Sequence, residues 1–184
     1  MNARSGTSLT TNWHARSATH SELIGKDMKD LQIRINQIGT GIFIAVTVFA
    51  AVTFTDASKA IVVVVDLILA AIGVFAFLNG YWTAVQRSRE DEISVAELYF
   101  MMNNVAPVQV RKLMMWCLTS QAIVGIGGAF ARPNTDGKPG SVLAFGVLVP
   151  LFGLGLNGNW TANNGSFAAR RLKKHDGETE VGQD

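Results

Sequence analysis

Residues that usually carry chemistry are scarce in this 184-residue sequence. Its single cysteine, Cys117, excludes an intrachain disulfide, and a cysteine-ligated metal cluster is not expected. The three histidines, His14, His20 and His175, all lie in polar segments. Because no histidine lies in an apolar stretch, haem or copper buried among helices is not expected either. We therefore predict no cofactor and no metal site.

Charged residues are also scarce. Charged residues make up 16% of the chain and hydrophobic residues 48%, whereas soluble domains carry about 25% charge. The net charge is +2, but the basic residues do not form one patch, so a nucleic-acid partner is not expected. We find no phosphate-binding loop, dinucleotide fingerprint, zinc-protease motif or nucleophile elbow. The composition indicates an integral membrane protein that is not an enzyme.

Four stretches have the length and apolar character of a membrane span, which needs roughly 20 residues. They cover about 35–55, 60–86, 110–131 and 141–161. We predict an all-α four-helix bundle over residues 21–170, with disordered tails at 1–20 and 171–184. Pro150 and four glycines interrupt the fourth stretch, so a kinked or re-entrant helix remains an alternative to a straight span.

The distribution of basic residues predicts the orientation. Thirteen of the 16 Lys and Arg residues lie in the N-terminal segment, the central loop and the C-terminal tail. Because such residues are enriched on the cytoplasmic side, we expect both termini in the cytoplasm, with the protein in the plasma membrane. An aromatic belt is expected at the same side, formed by Tyr81, Trp82, Trp116 and Trp160.

An apolar seam precedes the first span and continues into it. Its residues, at spacings of 4, 3 and 4, are Ile24, Met28, Leu31 and Ile35. This spacing predicts a cytoplasmic extension of the first helix, with one face available to a partner. An alternative is a helix that lies on the lipid headgroups or folds onto the protein's own loop.

A second short helix is predicted at the interface before the third span, over about 90–103. Its expected apolar face consists of Ile93, Ala96, Phe100 and Met101. We expect the acidic run 90–92 to stabilise its N-terminus.

Each span also carries small or polar residues at helical spacing, which predicts close packing between helices. These are Gly41, Ala45, Thr40, Thr47 and Ala51 in the first; Asp66, Ala70, Gly73, Phe77 and Gly80 in the second; Met114, Cys117, Gln121, Gly125 and Gly128 in the third; and Gly146, Pro150, Gly153 and Asn157 in the fourth.

Two of these residues are candidates for an intramembrane polar site. Asp66 is the one acidic residue within the spans, and it lies about 7.5 Å along the helix from Ile61. At that depth we expect it to be hydrated or paired with Lys59 or Arg132, and a proton or cation site is the alternative. Gln121 lies deeper and could form an interhelical hydrogen bond or contact a ligand.

The near-absence of charge within the spans, together with the apolar seam before the first span, favours an accessory, assembly or scaffolding subunit of a membrane complex. Its expected partners are membrane lipids and other membrane subunits or further copies of itself. The alternative function is a small transporter or channel, either a monomer or an oligomer, for a cation or small polar solute, with Asp66 and Gln121 as its polar site.

Overall fold

The computed structural model describes residues 8–135 and 137–170, with side chains for 28–135, 137 and 139–170. The described chain is mostly helical. Its helices are α1 (Ser8–Thr53), α2 (Asp56–Arg87), α3 (Val95–Phe100), α4 (Val108–Ala131), a 3₁₀ segment (Val142–Leu148) and α5 (Pro150–Asn164). Four two-residue strands form two antiparallel pairs. Strand β1 (Asp91–Glu92) pairs with β4 (Ala168–Ala169), and β2 (Asn134–Thr135) pairs with β3 (Lys138–Pro139).

Within the described residues, four helical stretches are long and apolar enough to cross a membrane. They are Met28–Thr53, Asp56–Arg87, Val108–Ala131 and Val142–Asn164. The prediction of four spans is therefore confirmed, and the protein is a multi-pass membrane protein. Helix α1 begins at Ser8, well before its span, and includes part of the predicted tail 1–20. Residues 1–7 and the predicted tail 171–184 lie outside the described part.

A two-residue turn links α1 to α2. Phe54 has φ of 45°, a left-handed conformation that ends α1. Thr55 then caps α2 in a reciprocal arrangement, in which its hydroxyl accepts from the Ser58 amide and the Ser58 hydroxyl accepts from the Thr55 amide. This capping box satisfies backbone donors at the start of the helix.

The fourth span changes helix type at Pro150. Proline has no N–H and its ring crowds the preceding turn, which disfavours a continuous α-helix through this position. The residues before it form the 3₁₀ segment, and the Val149 amide donates to the Gly146 carbonyl at 3.1 Å. Pro150 is then the first residue of α5. Val149 has helical dihedral angles, so the chain stays helical across the junction.

Helix α5 packs most extensively against α2, and glycines allow the close approach. A Cβ at Gly80 would lie 2.7 Å from the amide nitrogen of Asn159, and one at Gly73 would collide with the backbone of Phe152. A Cβ at Gly155 would likewise collide with the Gly73 carbonyl. The backbones therefore touch along this interface, as the small-residue pattern predicts.

The predicted packing face is confirmed most completely in α4. Met114, Cys117, Gln121, Gly125 and Gly128 are all buried. In α1 the prediction is partly wrong, because Gly41 and Ala45 are exposed and nothing lies within 4 Å of a Cβ placed on Gly41. Thr40 and Thr47 are buried as predicted, and the inward face of α1 also contains Asn36, Gly39, Phe43 and Ala50.

The short helix before α4 differs from its prediction in length and face. It covers only Val95–Phe100 and buries Leu98 and Tyr99, while Ala96 and Phe100 are exposed. The chain leaves the helix at Met101, whose φ is 51°. Of the predicted face, Met101 is buried in the hydrophobic core and Ile93 is half-buried, so the prediction is wrong for Ala96 and Phe100.

The acidic run does not cap this helix. The hydroxyl of Ser94 accepts from the Glu97 amide, and the Glu97 carboxylate accepts from the Ser94 amide. Asp91 instead pairs with Arg87 at 2.9 Å. The capping box of Ser94 and Glu97 therefore stabilises the N-terminus of α3 in place of the predicted acidic run.

Tyr99 anchors α3 to the bundle. Its ring stacks on Phe77 with centroids 4.3 Å apart, and its hydroxyl donates to the Phe77 carbonyl at 3.2 Å. Burial, with Tyr81 nearby as a smaller cause, raises the pKa of Tyr99 to about 12. The hydroxyl therefore remains a donor at neutral pH.

Three of the four predicted belt aromatics, Tyr81, Trp82 and Trp116, are exposed on the helix surfaces. Trp160 is only 3% exposed and belongs to the hydrophobic core. Its place in the belt is therefore wrong, because α5 is the most enclosed of the candidate spans and turns this ring inward.

Candidate intramembrane site

Gln121 is the centre of a buried hydrogen-bond network that joins three helices. Its Nε2 donates to Thr40 Oγ1 at 2.7 Å and to Asn36 Oδ1 at 3.3 Å, both on α1. Its Oε1 accepts from the backbone amide of Gly153 on α5 at 3.1 Å. Both amide hydrogens and the carbonyl oxygen of Gln121 are therefore engaged.

The bond to Gly153 follows from the break at Pro150. In a regular helix the Gly153 amide would donate to the carbonyl of Val149, but that carbonyl accepts from the Phe152 amide at 2.8 Å. The apolar interior of a membrane protein offers no bulk water as another acceptor, and Gln121 supplies one to the Gly153 amide. A Cβ at Gly153 would lie 2.5 Å from Gln121 Oε1, so glycine allows the side chain to reach the backbone.

A second set of buried polar contacts lies closer to α3. Asn157 Nδ2 donates to the Tyr99 carbonyl at 3.4 Å, and the Thr161 hydroxyl donates to the Asn157 carbonyl at 2.8 Å. Asn157 and Thr161 are fully buried. Polar side chains on α5 therefore tie the short loop helix to the spans.

Asp66 lies on the inner face of α2 and is only 1% exposed. Neither carboxylate oxygen has a hydrogen-bond partner among the described residues. The predicted pairings are not formed there, because Lys59 contacts Asp56 at 3.1 Å and Arg132 donates to the Ala51 carbonyl. The helical rise gives the depth of Asp66 but not the direction it faces, which is why the expectation of a hydrated side chain is wrong.

Asp66 and Gln121 do not share a hydrogen bond, and the network around Gln121 does not include Asp66. Sequence reasoning missed Asn36, which bonds to Gln121. The available signal was the spacing of Gln32, Asn36 and Thr40, because residues four apart lie on one helix face. Thr47 continues this face, and its hydroxyl is buried without a partner among the described residues.

The predicted partner seam lies on the opposite side of α1. Met28, Leu31 and Ile35 are 62%, 55% and 40% exposed, so the described chain does not cover them. Ile38 and Ile42 continue the exposed row within the span. The side chain of Ile24 lies outside the described residues.

Comparison of the chain with protein-family models, curated proteins and solved structures finds no match. The fold and the site define its class as a multi-pass membrane protein with a buried polar network.

Proposed function

We propose that this protein is a non-catalytic accessory, assembly or scaffolding subunit of a larger complex in the plasma membrane, with both termini in the cytoplasm. The observation that carries the proposal is the exposed seam of Met28, Leu31 and Ile35 on α1. An apolar row at alternating spacings of three and four is the pattern by which helices pair with partner helices. Further subunits or a second copy are the expected occupants.

The buried network gives independent support. Gln121 donates both amide hydrogens, to Thr40 and Asn36, and its carbonyl oxygen accepts from Gly153. A side chain with no free donor is suited to holding helices together rather than to binding a solute. The bundle then serves as a rigid platform that presents α1.

The proposal is tested by purifying the full-length protein from its native membrane in mild detergent. We expect a discrete assembly larger than one chain, with defined proteins or a second copy in it. The double substitution Met28→Asn and Leu31→Asn is expected to release these partners. Asp30→Asn, an exposed change on the same helix but off the seam, is the matched control and should retain them. A wild-type monomer without partners would contradict the proposal.

A second candidate function is a small transporter or channel for a cation or small polar solute. It is favoured by Asp66, a buried carboxylate without a hydrogen-bond partner in the described part of the chain. Burying such a group is costly, and acidic residues within spans commonly mark ion or proton pathways.

Reconstitution into sealed vesicles tests this second function. If the protein moves protons or cations, Asp66→Asn should abolish the flux. Asp56→Asn removes an exposed carboxylate from the same helix and should leave the flux intact. Flux that persists in Asp66→Asn would show that Asp66, the one acidic residue of the predicted spans, is not required for transport.

A further inference from the structure

A groove lined by carboxamides lies between α1, α2 and α5. It has a volume of about 340 Å³. Five carboxamide side chains line it, namely Gln32, Asn79, Asn159, Asn163 and Asn164. We call it the amide groove. Lys29 adds a positive charge, and no acidic side chain lines the groove within the described residues.

The amides of the groove are held in place by one another. Asn79 Nδ2 and Asn163 Nδ2 both donate to Asn159 Oδ1, at 3.1 and 3.0 Å. Asn164 Nδ2 donates to the Trp160 carbonyl at 3.0 Å. Gln32 Oε1 is buried without a partner in the described part of the chain. The groove is therefore preorganised by its own hydrogen bonds.

The groove lies where the spans end. Asn79 precedes the last residue of α2 by eight positions, or about 12 Å of helix, and Asn163 and Asn164 are the last two residues of α5. The exposed rings of Tyr81 and Trp82 follow Asn79 on α2. Aromatic side chains of this kind concentrate at the level of lipid headgroups.

The lining defines the chemistry of its ligand. Lys29 and the amide hydrogens suit a phosphate group, whereas the amide oxygens suit hydroxyl donors. Among the described residues, no carboxylate lines the groove to pair with an ammonium group. We propose that the amide groove binds the headgroup of an anionic phospholipid in which phosphate is joined to a hydroxylated glycerol.

Native mass spectrometry after exchange into nanodiscs of defined composition tests this assignment. We expect the full-length protein to retain phosphatidylglycerol in preference to phosphatidylethanolamine and phosphatidylcholine, the last of which has no donor in its headgroup. Lys29→Gln should lower this retention about tenfold, the equivalent of one charge-assisted hydrogen bond. Asn163→Leu should lower it about fivefold, the equivalent of one neutral hydrogen bond, because both amide hydrogens of Asn163 bond to Asn159 and its oxygen is left to accept from a hydroxyl group. Asn163 is exposed, so its substitution should leave the fold intact, and thermal unfolding verifies this.

Lys112→Gln, which removes an exposed charge from α4, is the matched control and should retain the lipid. Equal retention of all three lipids, or unchanged retention in Lys29→Gln, would overturn the proposal. Added glycerol phosphate is expected to leave the lipid bound. Its displacement of the lipid would assign the groove to a free phosphoglycerol compound and overturn the lipid assignment.

Discussion

Single residues in this protein compensate for irregular backbone. Gln121 bonds to the Gly153 amide just after Pro150 begins a new helix. A soluble protein could leave such an amide to water, but the interior of a bundle in lipid cannot. A buried polar side chain of the spans can therefore have the structural role of satisfying a backbone group.

We predict that Gln121→Leu destabilises the bundle by about 1–2 kcal/mol. The change removes two interhelical donors and leaves the Gly153 amide without its acceptor, and each such bond in a membrane protein contributes on the order of 1 kcal/mol. Unfolding by denaturing detergent measures the effect. Thr119→Val, which changes an exposed residue of the same helix, should alter stability by less than about 0.5 kcal/mol. Equal stability of the two variants would contradict the structural role of Gln121.

Glu97 gives the α3 cap a predicted dependence on pH. A hydrogen bond from Asn103, followed by one from the Ser94 amide, lowers the pKa of Glu97 below its ordinary value of 4.5. Because the folded-state pKa is depressed, the stabilisation is present above the ordinary pKa and is lost as pH falls through the folded value.

The measurement is the chemical shift of the Ser94 amide as a function of pH, in detergent micelles. Its midpoint should lie below 4.5. Glu97→Gln should abolish this titration, and Glu92→Gln should leave it in place. A midpoint at or above the ordinary value would show that the capping bonds do not form in solution.

At the scale of residues, sequence analysis identified the two buried polar side chains but not the contacts and the burial that the fold gives them. Gln121 was identified by its depth in an apolar stretch, but its bond to Gly153 depends on where α5 begins relative to α4. Asp66 was identified by its charge, but its burial depends on the angular position of α2 in the bundle. Tertiary arrangement of this kind is not contained in helical spacing.

The helices themselves were predictable because each is long, apolar and bounded by polar residues. The faces were predictable where small residues lie at regular spacing on a helix enclosed by neighbours, as in α4. The same rule failed for Gly41 and Ala45, because a small residue also occurs where a helix faces lipid. It failed for α3 because six residues carry too little periodicity to define a face.

The close packing of α2 against α5 leads to a testable prediction about helix packing. A methyl group at Gly73 would collide with the backbone of Phe152 and force the helices apart. Gly73→Ala should therefore destabilise the protein by about 1–3 kcal/mol, despite the better helix propensity of alanine. Gly41→Ala is the matched control, because open space surrounds that position, and it should be neutral or slightly stabilising. Thermal unfolding in detergent compares them, and similar loss in both variants would argue against the close approach.

On the scale of the whole molecule, the described part of α1 has one enclosed face and one exposed face. The inward face joins α4 through Asn36 and Thr40, whereas Met28, Leu31 and Ile35 remain exposed. The amide groove lies beside the same helix. The proposed partners would bind the exposed face, so identifying what co-purifies with the protein tests the proposed function most directly.

Arg87 closes the bundle at the end where β1 pairs with β4. Its guanidinium donates to the carbonyls of Ala162 and Gly165, at 2.7 and 3.3 Å, and to Asp91 at 2.9 Å. One side chain thus joins the ends of α2 and α5 to β1, and its planar fork suits several acceptors at once.

We predict that Arg87→Gln increases hydrogen–deuterium exchange in residues 88–94 and 165–170, while the centres of the spans stay protected. The reason is that the loss of about 1–2 kcal/mol of charge-assisted hydrogen bonding is local to this end. Arg89→Gln removes the same charge from an exposed neighbouring position and should leave the exchange unchanged. Faster exchange throughout α2 and α5 would mean that Arg87 stabilises the whole bundle, and no difference between the two variants would mean that the closure depends on the strand pair alone.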